Sequence, residues 1–226
     1  MRVVVVGAGA VGCATAFALA DCGVAVLVFE RATVGSGASG AAAGMLAPFS
    51  ESPKRGPLFE AGAEALAEFV DWRAAIEEAA GMELEASSGG SLLLGCDAEQ
   101  AAELRSRLIW QSEIDLSIEW IDAPGLKTQA SHLRPGILGA LSYPREMQVN
   151  AAGYTKILAA AAVARGARLK ERTPVRSLLI KGDRVTGVEV DRERISADAV
   201  VLAPGAAAEL LQHAGLRVPL DSVKGE

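Results

Sequence analysis

Aromatic residues are scarce in this chain: five Phe, two Tyr and three Trp make up 4% of its 226 residues. Against abundant Ala, Val, Leu and Gly, that scarcity suits helices laid on a sheet with tight βα turns better than a β-sandwich. Histidine is rarer still. His132 and His213 each stand without an acid or nucleophile at a motif spacing, and both read as surface or cap residues. Cys13, Cys22 and Cys96 form neither a CxxC pair nor a metal-ligand spacing, and read as buried thiols in a reducing cytoplasm. No His/Cys/Asp cluster suggests a metal. Ser36, Ser39 and Ser142 lack the nucleophile-elbow setting that a serine hydrolase needs. The net charge of −6 comes from acids spread along the chain, with no run of Lys and Arg to follow a phosphate backbone or an anionic membrane. Nucleic acid is not an expected partner.

A membrane span is not expected either. Val3 to Ala20 is mostly apolar, but Gly7, Gly9 and Gly12 interrupt it at a functional spacing and Asp21 closes it. Cleavage of that run as a signal peptide would destroy the glycine motif, so a cytoplasmic location is expected. With half of its residues hydrophobic, the chain can bury a substantial core, as one large domain or two intertwined smaller ones, and an α/β class is predicted.

Arg2 to Val6 is a continuous β-branched run, the mark of a parallel strand covered on both faces. A glycine turn follows, then a helix from about Ala10 to Cys22, stopped by Gly23, and a second buried strand from Val24 to Phe29 that ends in Glu30. In this βαβ unit Gly7 permits the tight turn, Gly9 lets the backbone approach a pyrophosphate, and Gly12 lets the helix pack on the strand. Phosphates would meet the helix N-terminus at Ala10 and Val11, where free N–H groups and the positive dipole end favour anions. Glu30 stands where a carboxylate accepts hydrogen bonds from ribose hydroxyls, and it would repel a 2′-phosphate, which disfavours NADP.

A nicotinamide dehydrogenase would continue with further helix–strand units. This chain instead enters the small-residue stretch Gly35 to Pro48, without periodicity and with too many glycines for a continuous helix. Farther on, Asn150 reads as the N-cap of a helix from Ala151 to Ala164 closed by Gly166, and a strand is expected from Ala167 to Glu171. Val175–Ile180 and Arg184–Val190 read as a hairpin, and Ala197–Gly205 as a strand with a glycine turn, before a short helix over about 206–213. In the middle, Leu58–Ala80 has helical periodicity, Gly89–Leu94 reads as a strand, and Asp97 with Gln100 forms a capping-box start for a helix towards Trp110. Ile118–Ile121 and Ile137–Tyr143 read as strands of a smaller, mainly antiparallel sheet.

Gly7-Ala-Gly-Ala-Val-Gly12, Glu30-Arg31, Ser39 and Ala41-Ala-Ala-Gly-Met-Leu46 resemble the FAD-dependent D-amino-acid oxidase superfamily, most closely its glycine oxidase branch, which serves thiamine biosynthesis. The resemblance implies a Rossmann-like FAD-binding domain and a smaller α+β substrate domain. It implies that Glu30 and Arg31 bind the cofactor, that Ser39 lies near the pyrophosphate, and that the backbone of Ala42, Ala43, Gly44, Met45 and Leu46 passes the flavin ring. It further implies that Val175 holds the adenine through its backbone, and that Ala203 and Gly205 pass close to the dinucleotide. Ala207 departs from the family, which often has a larger residue there.

On this basis residues 1–80 and 145–215 are expected to form the FAD-binding domain, and 81–144 with 216–226 a partial substrate domain. The substrate-clamping arginine and tyrosines of the family come after the position matching Glu226, so the chain is expected to be truncated on that side, and no catalytic residue is assigned. The activity implied is oxidation of glycine or another small amine or amino acid to the imine, by hydride transfer to flavin with O2 as acceptor. Handover of the imine to a thiazole synthase is the partner reaction implied. Two alternatives stay open: a D-amino-acid dehydrogenase with another electron acceptor, and a non-catalytic FAD-binding fragment. A homo-oligomer and a complementing second chain are the partners left open.

Overall fold

The computed structural model describes residues 1–206, 210 and 215. In chain order the elements are β1 (Arg2–Val6), α1 (Ala10–Asp21), β2 (Ala25–Phe29), α2 (Ala38–Ala41), β3 (Met45–Leu46), α3 (Pro48–Glu51) and α4 (Pro57–Ala80). Next come β4 (Ala86–Ser87), β5 (Ser91–Gly95), α5 (Ala98–Gln111), β6 (Glu119–Asp122), α6 (Ala123–Gln129), β7 (Gly139–Tyr143) and β8 (Met147–Val149). α7 (Ala151–Ala164), β9 (Arg168–Lys170), β10 (Val175–Lys181), β11 (Arg184–Val190), β12 (Glu193–Ser196) and β13 (Ala199–Leu202) complete the series. Most of the helix expected over 206–213, together with Ala207, His213 and the whole of 216–226, lies outside the described residues.

The chain divides into two compact units, Met1–Ala43, Arg73–Glu85 and Asn150–Glu226 in the first, Gly44–Trp72 and Ala86–Val149 in the second. This division differs from the expected boundary at residue 80. Met45 and Leu46 pair with β8, and that hydrogen bonding ties the segment after Ala43 to residues 86–149. Helix α4 ends at Ala80, and the observed division falls within it, between Trp72 and Arg73.

The first unit is built on a four-stranded sheet of order β13-β1-β2-β9, parallel throughout. Val3 to Val6 are all buried, as a β-branched strand covered on both faces requires. Val4 and Val6 cluster with Val188 and Val190, which puts the antiparallel meander β10–β11–β12 on one face. Successive side chains alternate across a strand, so Val3 and Val5 serve the other face, where α1 packs against β1 and α7 against α1. The Asn150 carboxamide oxygen accepts the Gly153 N–H at 2.9 Å, capping α7, and its amide nitrogen donates to Glu85 Oε2 at 3.0 Å.

The second unit carries two small antiparallel sheets, β5-β7-β6 and β3-β8-β4. Phe49, Phe59, Leu104, Ile118, Leu141 and Tyr143 form its main core, with the Phe49 and Phe59 rings edge-to-face at 5.2 Å. Asp97 Oδ1 caps α5 by accepting the Gln100 N–H at 2.8 Å. Gln100 returns a bond as the capping box predicts, but to the Cys96 N–H, one residue before the cap.

The thiols divide by position. Cys13 is buried, but Cys22 is exposed, because it is the C-cap of α1, beyond the turn that faces the sheet. Burial, reinforced by the Glu30 carboxylate, pushes the Cys13 thiol from 9.0 to about 12. Burial likewise pushes the Tyr143 phenol from 10.0 to about 12, against the lowering pull of Arg107. The folded state thus keeps protons that the unfolded chain releases above pH 9, so these groups withdraw stability as pH rises from about 9 through 12. Urea midpoints are expected to fall over that interval, and a flat alkaline profile would contradict the burial of both groups.

Candidate functional site

The densest convergence of predicted site residues lies at the turn between β1 and α1, in the first unit. Gly7 donates its N–H to Phe29 O at 2.9 Å and adopts φ +102°, a conformation open in practice only to glycine. A Cβ on Gly7 would lie 2.2 Å from Ala203 O, and one on Gly12 would lie 2.0 Å from Gly7 O. Both positions are therefore closed to any side chain by backbone. Gly9 differs: a Cβ there would meet Ser39 Oγ at 3.0 Å, so Gly9 keeps the approach to the helix N-terminus clear.

Gly9 is the N-cap of α1 and has no side chain with which to cap. Ser39, on α2, supplies the missing acceptor, its Oγ taking the Ala10 N–H at 3.0 Å. The Val11 and Gly12 N–H groups have no acceptor among the described residues, and Val11 is 72% exposed, so the first turn of α1 offers open donors at the positive end of a helix. The stretch expected to be irregular is thus partly helical, and it folds back onto the turn through the Gly35 N–H, which donates to Ala8 O at 2.9 Å.

Glu30, at the end of β2, braces the same turn. Its Oε2 accepts the Ala8 N–H and its Oε1 the Ala32 N–H, each at 2.8 Å. Each carboxylate oxygen keeps a second lone pair for a further donor. Arg31 beside it is exposed. The Thr173 N–H donates to Glu30 O at 2.7 Å and the Arg172 N–H to Ala32 O at 2.8 Å, which carries the chain leading to Val175 up to the end of β2. Arg172 holds φ +50°, which costs a non-glycine residue about 1 kcal/mol and marks a backbone set by its surroundings. Sequence reasoning reads Thr173-Pro174-Val175 only as the opening of a strand, because the residue before proline is biased towards an extended conformation, and it gives no signal for Arg172.

Ala203 donates its N–H to Val6 O at 2.9 Å and sets its carbonyl against the glycine turn, while Gly205 is exposed at φ +60°. Ala42 and Ala43 are exposed at the end of the first unit's loop. Gly44, Met45 and Leu46 belong to the second unit, where Gly44 O accepts the Val149 N–H at 2.9 Å and β3 pairs with β8. His132, read as a surface residue, is exposed. Among the described residues, no helix is long and apolar enough to cross a membrane.

A parallel α/β sheet led by a glycine turn that opens a helix N-terminus, with an acid at the end of the second strand, defines the class of protein. Comparison with known proteins agrees: the FAD dependent oxidoreductase profile, DAO, matches residues 2–226, and the chain belongs to that family. FAD is the family's cofactor. The chain is 33% identical to a glycine oxidase of Geobacillus kaustophilus over 99% of its own length and 60% of that protein's. It is 30% identical to a glycine oxidase of Bacillus licheniformis, over 99% of this chain and 59% of the relative. The crystal structure of glycine oxidase from Geobacillus kaustophilus superposes with a TM-score of 0.89 at 31% identity, covering 96% of this chain and 59% of that one. The chain thus spans about 60% of the length of these glycine oxidases.

Proposed function

We propose that the first unit binds FAD across the β1–α1 turn and that the chain takes part in oxidising glycine or another small amine or amino acid. The observation that carries this reading is the cradle itself: two glycines closed to side chains by backbone, a third kept bare in front of open N–H donors, and a carboxylate beside them. The cradle suits the pyrophosphate and ribose of a dinucleotide, and its N–H groups and dipole stabilise the negative charge.

Each residue has a task in this account. The Val11 and Gly12 N–H groups face the phosphates. Ser39, whose oxygen accepts from Ala10, retains its O–H to donate to a phosphate oxygen. Glu30 accepts the ribose hydroxyls on its remaining lone pairs, and Arg31, exposed beside it, is a further cofactor contact. Val175 offers its backbone to the adenine, Ala203 and Gly205 line the dinucleotide, and the backbone from Ala42 to Leu46 runs beside the flavin ring. The second unit acts as part of a substrate domain. FAD held there would supply a two-electron redox centre for oxidising the amine to its imine, with O2 as the final acceptor and H2O2 as the by-product. No acid or base of this chain is assigned to that transfer; its residues bind, orient and exclude water. Among relatives named for their reactions, the glycine oxidases support the choice of substrate.

The test is anaerobic addition of glycine and other small amines to the FAD-loaded chain, followed by air. Bleaching of the flavin bands, then O2 uptake with H2O2 release, is the expected result. Reduction that only a quinone or dye reverses would replace the oxidase with a dehydrogenase, and bound flavin indifferent to every amine would contradict the catalytic reading.

A further inference from the structure

Glu146 is 2% exposed, yet it is a carboxylate held wholly by hydrogen bonds. Its Oε1 accepts the Phe49 N–H at 2.9 Å and the Ser50 N–H at 2.8 Å, and its Oε2 accepts the Ser91 hydroxyl. Burying a charge is costly even when it is fully hydrogen-bonded, and an apolar side chain would fill the same space more cheaply. What the carboxylate adds is a fixed place for the backbone it holds.

That backbone begins where β3 ends. β3 pairs with β8 as Met45↔Gln148 and Leu46↔Met147, and one more step of the antiparallel ladder would set Ala47 against Glu146. The ladder stops there, because Pro48 has no N–H to contribute. Helix α3 opens at once, but Ala47 at its N-cap position has no side-chain acceptor for the first N–H groups. Glu146 takes both of them from across the ladder. Gln111, 0% exposed, completes the hold: its Nε2 donates to Phe49 O at 2.8 Å while its Oε1 accepts the Tyr143 O–H at 3.0 Å. Both polar groups of the Phe49 backbone are thus gripped by buried side chains. Met45, by contrast, is 57% exposed, so its own burial does not anchor β3.

We propose that Glu146 is a positioning residue: by capping Phe49 and Ser50 from the position just before β8, it fixes the exit of β3 and so the placement of Met45 and Leu46. The consequence for the cofactor rests on the reading, given above, that Met45 and Leu46 run beside the flavin ring. The adenosine and pyrophosphate contacts do not involve Glu146, so its loss should alter the surroundings of the ring without releasing FAD.

The experiment compares wild type, Glu146→Gln and Glu146→Ala in the full chain, by amide hydrogen exchange over residues 45–52 without FAD and by the visible flavin spectrum and FAD affinity with it. Glu146→Ala strands three donors, and exchange over 45–52 should accelerate about 100-fold, with the long-wavelength flavin band shifted and FAD affinity changed less than about threefold. Glu146→Gln keeps the shape and can keep all three hydrogen bonds without the charge; about tenfold faster exchange confined to 45–52, with most of the spectrum restored, is expected. Should Glu146→Ala not fold, the glutamine variant decides alone. Unchanged exchange, acceleration spread over the whole second unit, or faster exchange at 45–52 with an unaltered flavin spectrum would each overturn the proposal. Failure of wild type to bind FAD would sink the cofactor reading and with it the flavin consequence, while the exchange arm still decides whether Glu146 fixes β3.

Discussion

Gly7→Ala is expected to destabilise the first unit by about 3 kcal/mol and to abolish retention of FAD. Two separate causes add. The backbone at φ +102° is strained for any L side chain, and the new Cβ would sit 2.2 Å from Ala203 O. That oxygen cannot retreat freely, because the Ala203 N–H is bonded to Val6 O at 2.9 Å and β13 is in register with β1. Relief would require parting two strands of the parallel sheet. Urea unfolding followed by circular dichroism measures the loss, and a midpoint equal to wild type would show that the turn is not held as described. Gly12→Ala should behave similarly, since its Cβ would lie 2.0 Å from Gly7 O.

Glu30→Gln is expected to weaken FAD binding by about 10- to 100-fold, and to lower the stability of the FAD-free chain by about 1–2 kcal/mol. The carboxylate accepts the Ala8 N–H on one oxygen and the Ala32 N–H on the other. A carboxamide can accept on only one side, so its NH2 group must confront a backbone N–H. It also offers the ribose hydroxyls one acceptor oxygen in place of two charged ones. Titration of flavin fluorescence separates these roles. Reduced stability with unchanged FAD affinity would make Glu30 a brace of the turn with no ribose contact.

The βαβ opening was legible because local signals there agree with the tertiary arrangement. Val3–Val6 is β-branched since it is covered on both faces, and Gly7 and Gly12 are glycine since backbone occupies the places of their side chains. The caps at Asp97 and Asn150 were legible for a similar reason, as capping is settled within three residues. What escaped was long-range or very short. β3, β4 and β8 hold two or three residues each and exist through pairing between distant segments, which no periodicity announces. Helix α6 begins Ala123-Pro124-Gly125, which reads as a turn until Asp122 Oδ1 is seen to accept the Gly125 N–H at 2.9 Å. Glu146 had no sequence signature: an isolated acid shows neither its burial nor the two N–H groups, 96 and 97 residues away, that it caps. The division between Trp72 and Arg73 leaves no mark in the sequence, because α4 carries one amphipathic pattern through it.

The most direct test of the central claim is the visible absorption spectrum of the purified chain after incubation with FAD and desalting, alongside Gly7→Ala. Flavin bands retained by wild type at one per chain, and lost in the variant, are the predicted result. A folded wild-type chain that emerges colourless would contradict the account, because the glycine turn, Ser39 and Glu30 would then form this arrangement without holding the cofactor it is proposed to serve.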